Sequence, residues 1–311
     1  MLISASRRTD IPSYYTDWFF NRIREGFVFV RNPMNYHQVS KVSLSSDVVD
    51  GIIFWTKNPS PMLGRHDELK RYMFYFQFTV TPYGADIEPN IPLKNDVVLP
   101  MFRKLSEKIG ANRVIWRYDP ILISGKYTME YHTKAFKKIA EALHGYTNKV
   151  ILSVIDTDYR GVKGNLKELS LLGFSSAAQI ELYSRIARIA HSYDLAIETC
   201  AEQIDLQQFG ISHARCIDDR LFSQLTGFHL NLKKAKSQRL GCGCAESFDI
   251  GMYNTCLNGC LYCYANYSKG SIERNAAKHD PLSPLIVGGI GEGDKITERE
   301  AKSCIDAQMR I

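Results

Sequence analysis

At 311 residues, 45% hydrophobic and 23% charged, the chain has the composition of a soluble globular protein, long enough for one large α/β domain or two ordinary ones. No apolar run approaches the roughly 20 residues needed to span a bilayer, and residues 1–8 lack the apolar core of a signal peptide, so a cytoplasmic protein with no membrane partner is expected. The net charge of +6 is a mild surplus, clustered at 22–31 and 233–239, and solvated faces or the lining of an anionic site account for it.

In chain order, short β-rich runs alternate with amphipathic helical stretches, the pattern of an α/β fold with a parallel sheet. Strands are predicted at 2–6, 51–55, 73–80, 113–118, 149–155, 195–199 and 248–253. Many are almost continuously apolar, as strands covered on both faces are. Helices are predicted at 13–25, at 94–109 with Gly110 as a C-terminal stop, at 128–143, and at 176–192 with a serine cap. Residues 27–44 read as a hairpin or excursion outside the main sheet. No repeat or linker divides the chain. The expectation is a single βα barrel or part-barrel of about seven to eight strands over 1–265, with a loop-rich segment, 266–311, packed on the same domain.

Each predicted strand ends in polar groups. The first gives Arg7, Arg8 and Asp10, the second Thr56, Lys57 and Asn58, and the fourth Arg117, Tyr118 and Asp119. Later ends give Ser153, Asp156 and Asp158, then Glu198, Cys200 and Glu202. In a barrel these ends converge on one mouth. Arg7, Arg8, Arg117 and Asp119 stand out because they put charge directly after apolar runs, where burial without a partner is costly. An arginine fork there suits a carboxylate or phosphate.

Eight cysteines in a cytoplasmic chain point to metal or redox chemistry, and five lie between 242 and 263. Cys256, Cys260 and Cys263 follow a C-x3-C-x2-C spacing that lets one tight loop aim three thiolates at a common point. Such a set suits a [4Fe–4S] cluster whose fourth iron has no protein ligand, with zinc the competing reading. Because the last predicted strand, 248–253, leads into this loop, the cluster-bearing strand is expected to come last in sequence and still neighbour the first in space. Cys200, Cys216, Cys242 and Cys244 form a second candidate site, for another [4Fe–4S] cluster or for zinc, unless they are buried small hydrophobes.

This spacing and the Tyr262-Cys263 pair resemble the radical S-adenosylmethionine (SAM) superfamily. The resemblance implies a cluster that holds SAM at its open iron and cleaves it reductively to a 5′-deoxyadenosyl radical. It also implies an electron donor such as flavodoxin or ferredoxin, and SAM contacts for which Arg7, Arg8, Arg117, Asp119 and Tyr262 are the candidates. The segments Ser4-Ala5-Ser6-Arg7-Arg8-Thr9-Asp10-Ile11-Pro12, Cys242-Gly243-Cys244, Asp249-Ile250-Gly251 and Tyr262-Cys263-Tyr264-Ala265-Asn266 resemble an uncharacterised bacterial family with such cysteines at its C-terminal end. That family supplies no substrate.

Two other readings stay open. One is a nucleic-acid-binding or lyase-like repair protein whose stretch 233–239 tracks phosphates. The other is a non-catalytic zinc protein. The glycine-rich 288–293 lacks the lysine and hydroxyl of a phosphate loop, and neither an H-E-x-x-H helix nor a G-x-S-x-G elbow is present.

Overall fold

Strands that are apolar on both faces must be covered on both, and the computed structural model, which describes residues 1–236, 239 and 241–310, shows how. In chain order the strands are β1 (Leu2–Ala5), β2 (Phe27–Arg31), β3 (Gln38–Ser43), β4 (Gly51–Thr56), β5 (Phe74–Thr79), β6 (Val114–Ile121) and β7 (Lys149–Val154). They continue with β8 (Ala196–Thr199), β9 (Ile211–His213), β10 (Phe228–Leu230), β11 (Phe248–Asp249), β12 (Lys295–Glu298) and β13 (Ile305–Arg310). Eight of them form one parallel sheet in the order β11-β1-β4-β5-β6-β7-β8-β9. Among the described residues the sheet does not close between β9 and β11, consistent with a part-barrel.

Alternation along each strand separates two cores. Ile52, Phe54, Phe76, Phe78, Trp116 and Leu152 face outward onto the helices, where they meet Phe19 of Thr16–Glu25, Phe102 of Leu99–Ile109, Phe136 of Met129–Leu143 and Ile186 of Ser176–Ser192. On the inner side lie Leu2, Ile53, Tyr75, Ile115 and Ile151, plugged by Leu221 and Phe222 from the helix Asp219–Thr226. Phe222 closes the floor: a Cβ on Gly51 would lie 2.2 Å from its ring. The next inward residues along β1, β5, β6 and β7 are polar, Ser4, Gln77, Arg117 and Ser153, while on β4 Trp55 holds that place.

Four long helices lie where they are predicted, at Thr16–Glu25, Leu99–Ile109, Met129–Leu143 and Ser176–Ser192. The first is separated from a short turn of helix, Ile11–Tyr14, at Tyr15, and the second is preceded by an irregular turn over Lys94–Val98. Thr128 and Ser175 accept from the backbone amides of Tyr131 and Ala178, and the chain reverses at Gly110 with φ of +95°. The hairpin expected at 27–44 is the antiparallel pair β2–β3, extended by β12 in parallel, while β13 pairs with β10. Residues 266–311 are therefore less loop-rich than expected, since they hold β12, β13 and the helix Lys269–Ala277. No helix among the described residues is long and apolar enough to cross a membrane.

One predicted boundary moves, and one strand of the main sheet lies outside the predicted set. The strand expected at 248–253 pairs with β1 only over Phe248–Asp249. The chain then turns, because Gly251 lies so close to Ser6 that an added Cβ would come within 2.1 Å of its hydroxyl. The eighth strand, β9, is three residues long behind Gly210 at φ +71°, too short for any periodicity to reveal.

His132 shows how the outer core sets a pH dependence. Its Nε2–H donates to the Leu122 carbonyl at 2.9 Å, so Nδ1 accepts from the Tyr118 hydroxyl at 2.7 Å. Burial lowers its pKa from 6.5 to about 4. The folded state thus resists protonation, and stability present above pH 6.5 is lost as pH falls toward 4, by roughly 3 kcal/mol. Urea unfolding between pH 7 and 4 should show a steeper loss in the native chain than in His132→Phe; equal slopes would refute the assignment.

Candidate functional site

The C-terminal ends of the sheet strands open into a cavity of about 640 Å³. Ser6, Arg7, Arg8 and Asp10 reach it from β1, Lys57 from β4, Arg117 and Asp119 from β6, and Ser153 and Asp156 from β7. Cysteines line two of its walls: Cys256, Cys260 and Cys263 on one, Cys200, Cys216, Cys242 and Cys244 on the other. Residues from these eight separate segments therefore meet, as the barrel reading expects.

The loop 254–266 is shaped by its own polar groups. Asn254, at φ +55°, accepts through its side chain from the amides of Tyr267 and Ser268. Asn266 donates to the Cys256 carbonyl at 2.6 Å. Side chains from elsewhere pin the loop from outside: Tyr15 to the Thr255 carbonyl at 2.6 Å, Asn90 to Leu257 at 2.8 Å and Asn165 to Leu261 at 2.7 Å. Asn258 bridges Tyr14 and the buried Asp10, whose carboxylate also accepts from the amides of Ser13 and Lys57.

All three loop thiols are buried or nearly so, and burial raises each pKa, that of Cys260 to about 12. Backbone amides soften this. Asn258 N–H points at the Cys256 sulfur, and the amides of Ala265 and Asn266 at that of Cys263. Such donors favour thiolate and are the usual support of metal-bound sulfur. The three thiols affect one another's charge but make no thiol–thiol hydrogen bond.

Beneath Cys260 lies a charged knot. The Glu88 carboxylate, with none of its side chain exposed, accepts from Lys57 at 2.7 Å and Thr81 at 2.6 Å, and also from Lys94 and the Tyr262 hydroxyl. Burial works to raise its pKa, but the two ammonium groups hold it at about 2. Tyr262 is thus tied to Glu88 and Cys260, while part of it still lines the cavity.

Arg7 and Arg8 are oriented by Asp249. Its carboxylate accepts from Ser4, Ser6 and the Arg7 amide, and lies 3.9 Å from Nε of each arginine. About a fifth of each arginine side chain stays open to the cavity. Arg117 is more committed: it pairs with Asp119 and donates to the Cys216 sulfur at 3.0 Å, while Asp119 also accepts from Ser153. Burial works against the Arg117 charge, yet Cys216 and Asp119 keep it cationic.

Some expected mouth residues lie elsewhere. Glu198 pairs with Lys149 at 2.8 Å, and Asp158 is exposed beside Lys163. The segment 288–294 sits on the β2–β3 hairpin through Arg31, which bonds Asp294 and the Gly289 carbonyl, and is absent from the cavity lining. Arg22 donates from Nη2 to the Leu282 carbonyl but leaves its buried Nε unpartnered, and Arg24 pairs with Glu68. In the basic stretch 233–239, Lys233, Lys234 and Lys236 are exposed and Arg239 lines the cavity, whereas 237 and 238 lie outside the described residues. Sequence reasoning missed Glu88, Asn90, Asn165 and the role of Asp249. Glu88 follows β5 by nine positions in an irregular loop, where no pattern singles it out.

Gly161 gives a direct check on the loop. A Cβ there would lie 2.5 Å and 2.7 Å from the carbonyl oxygens of Cys263 and Asn266, which are backbone and cannot swing aside. Gly161→Ala should displace the third cysteine and destabilise the chain by about 1–3 kcal/mol; unchanged thermal unfolding would contradict this packing.

The family model described as "Domain of unknown function (DUF1848)" matches residues 2–265. No curated protein matches the chain. Among solved structures, dihydropyrimidinase from Brevibacillus agri NCHU1002 is similar at a TM-score of 0.31 and 10% identity, over 63% of this chain. The chain spans 46% of that enzyme's length.

Proposed function

We propose that this chain, which belongs to the family Domain of unknown function (DUF1848), is a radical SAM-type iron–sulfur enzyme. Cys256, Cys260 and Cys263, which line the cavity, would hold a [4Fe–4S] cluster. Among the described residues, no three His, Cys, Asp or Glu side chains are arranged around a single ion. These three thiols make no thiol–thiol hydrogen bond, and a cubane, wider than a single ion, asks for thiolates that are not in contact. Their amide donors, their burial and their shared cavity fit the group. When bound with SAM, such a cluster supplies one-electron reductive cleavage of the sulfonium.

The chain's own residues then have defined tasks. Arg7 and Arg8, held by Asp249 yet open to the cavity, present positive charge to an anionic group such as the SAM carboxylate. Lys57 and the Glu88 knot stiffen the loop under Cys260 and keep water out. The enclosing strand ends hold a small substrate against that wall. The observation that carries the reading is three non-touching thiols from one pinned loop at the mouth of a part-barrel.

The test is anaerobic purification and reconstitution followed by iron and sulfide analysis with visible spectra. About four irons and four sulfides bound through these cysteines are expected; a colourless chain that takes up no iron sinks the proposal.

A further inference from the structure

The open seam of the part-barrel, between edge strands β9 and β11, carries a thiol wall that the proposed cluster does not use. Cys200 follows β8, Cys216 follows β9, and Cys242 and Cys244 lie on the segment leading into β11. Cys216, Cys242 and Cys244 are buried, and Cys200 is nearly so. The sulfurs of Cys200 and Cys216 are 3.4 Å apart, and the Cys244 thiol interacts with those of both Cys216 and Cys242. The four form one continuous row across the seam. Backbone hydrogen bonding supports it there, with Ala245 N–H donating to the Ile217 carbonyl at 3.0 Å.

We propose that Cys200, Cys216, Cys242 and Cys244 form a tetrathiolate site for a single divalent ion of the zinc class, which staples the sheet where strand pairing does not. Spacing favours one ion over a second cubane. A zinc–sulfur bond of about 2.3 Å puts tetrahedral sulfurs about 3.8 Å apart, close to the Cys200–Cys216 separation. The cluster loop differs in this respect, because its thiols do not touch. No three of these thiols already surround a common point, their contacts running in sequence from Cys200 through Cys216 and Cys244 to Cys242. Capture of the ion rotates the end residues, Cys200 and Cys242, inward, and each thiol gives its proton to solvent as its bond to the metal forms.

Charge agrees with this. Four thiolates around a dication leave a net charge of −2, which a buried site tolerates only with cations beside it. Arg117 Nη1 donates to the Cys216 sulfur at 3.0 Å, Arg239 Nη2 to the Cys200 sulfur at 3.7 Å, and Arg7 lies near Cys216 and Cys244. Amides of Ile217 and Cys244 point at the sulfurs of Cys244 and Cys242. A site with four protein ligands has no open position, so its role is structural.

The inference stands apart from the cluster reading, and one set of samples separates them. Metal and sulfide analysis is run on the full chain, on Cys216→Ser and on Cys260→Ala. About one zinc per chain is expected in the native protein and in Cys260→Ala, and none in Cys216→Ser. Iron with sulfide retained in Cys260→Ala would overturn the single-ion assignment in favour of a second cluster. A native chain free of zinc, with these four thiols open to alkylation, would overturn the site altogether. Should Cys216→Ser fail to fold, cobalt(II) exchange into the native chain replaces it: intense thiolate-to-cobalt absorption with tetrahedral visible bands supports four sulfurs, and their absence refutes it.

Discussion

Cys260→Ala, in reconstituted and reduced protein, is expected to abolish 5′-deoxyadenosine formation from SAM while leaving the fold intact. On the proposed reading Cys260 is the middle ligand of the loop, and its neighbours Tyr262 and Glu88 hold it at the cavity wall. With two thiols left, the loop cannot hold a cubane with one open corner. Loss of a supporting group around a metal typically costs 10–100-fold, and loss of a ligand should exceed about 100-fold. Cys304→Ala is the matched control. Its thiol reaches only toward the Lys302 carbonyl and lies outside the cavity lining, so activity and iron content should be unchanged. Equal activity in the two variants would remove the chemistry from this loop.

Glu88→Gln is expected to be the most destabilising single isosteric change in the chain. It leaves Lys57 and Lys94 beside a neutral amide, and breaking a buried pair by removing one partner costs about 3–5 kcal/mol. For a domain of this size the midpoint of thermal unfolding should fall by roughly 10 °C. The pH dependence has a definite sign. The folded pKa is depressed from 4.5 to about 2, so the stabilisation is complete above the unfolded value and disappears as pH falls through the folded one. The native chain should therefore lose stability between about pH 4.5 and 2, and Glu88→Gln should lack that component. If calorimetry finds the variant as stable as the native chain at pH 7, the knot does not support the loop.

Much of the architecture could be read from the chain. The apolar runs at 51–55, 73–80, 113–118 and 149–155 correspond to β4 through β7, because strands covered on both faces carry little ambiguity. The late segment was expected beside β1 through closure of a barrel, and Phe248–Asp249 pairs there as an edge strand of a sheet that stays open. What escaped notice was short or irregular. β9 has three residues, and the strand before the cysteine loop is cut to two by the close approach of Gly251 to Ser6.

The cysteines were legible as a local excess, and the geometry places both groups on one cavity. Their supports were not. Asn90 and Asn165 each act through one hydrogen bond and Glu88 through four, all from irregular loops, and no periodicity marks such residues. Arg117 shows the limit of reading strand ends. It lies at the mouth as expected, but Asp119 and Cys216 already occupy its guanidinium, so it serves the second thiol wall.

The most direct measurement is paramagnetic resonance of the anaerobically reduced native chain, with and without SAM. On this account a reduced cubane signal appears, shifts when SAM is added, and decays as 5′-deoxyadenosine accumulates. A signal indifferent to SAM, or no iron-based signal in fully reconstituted protein, would contradict it.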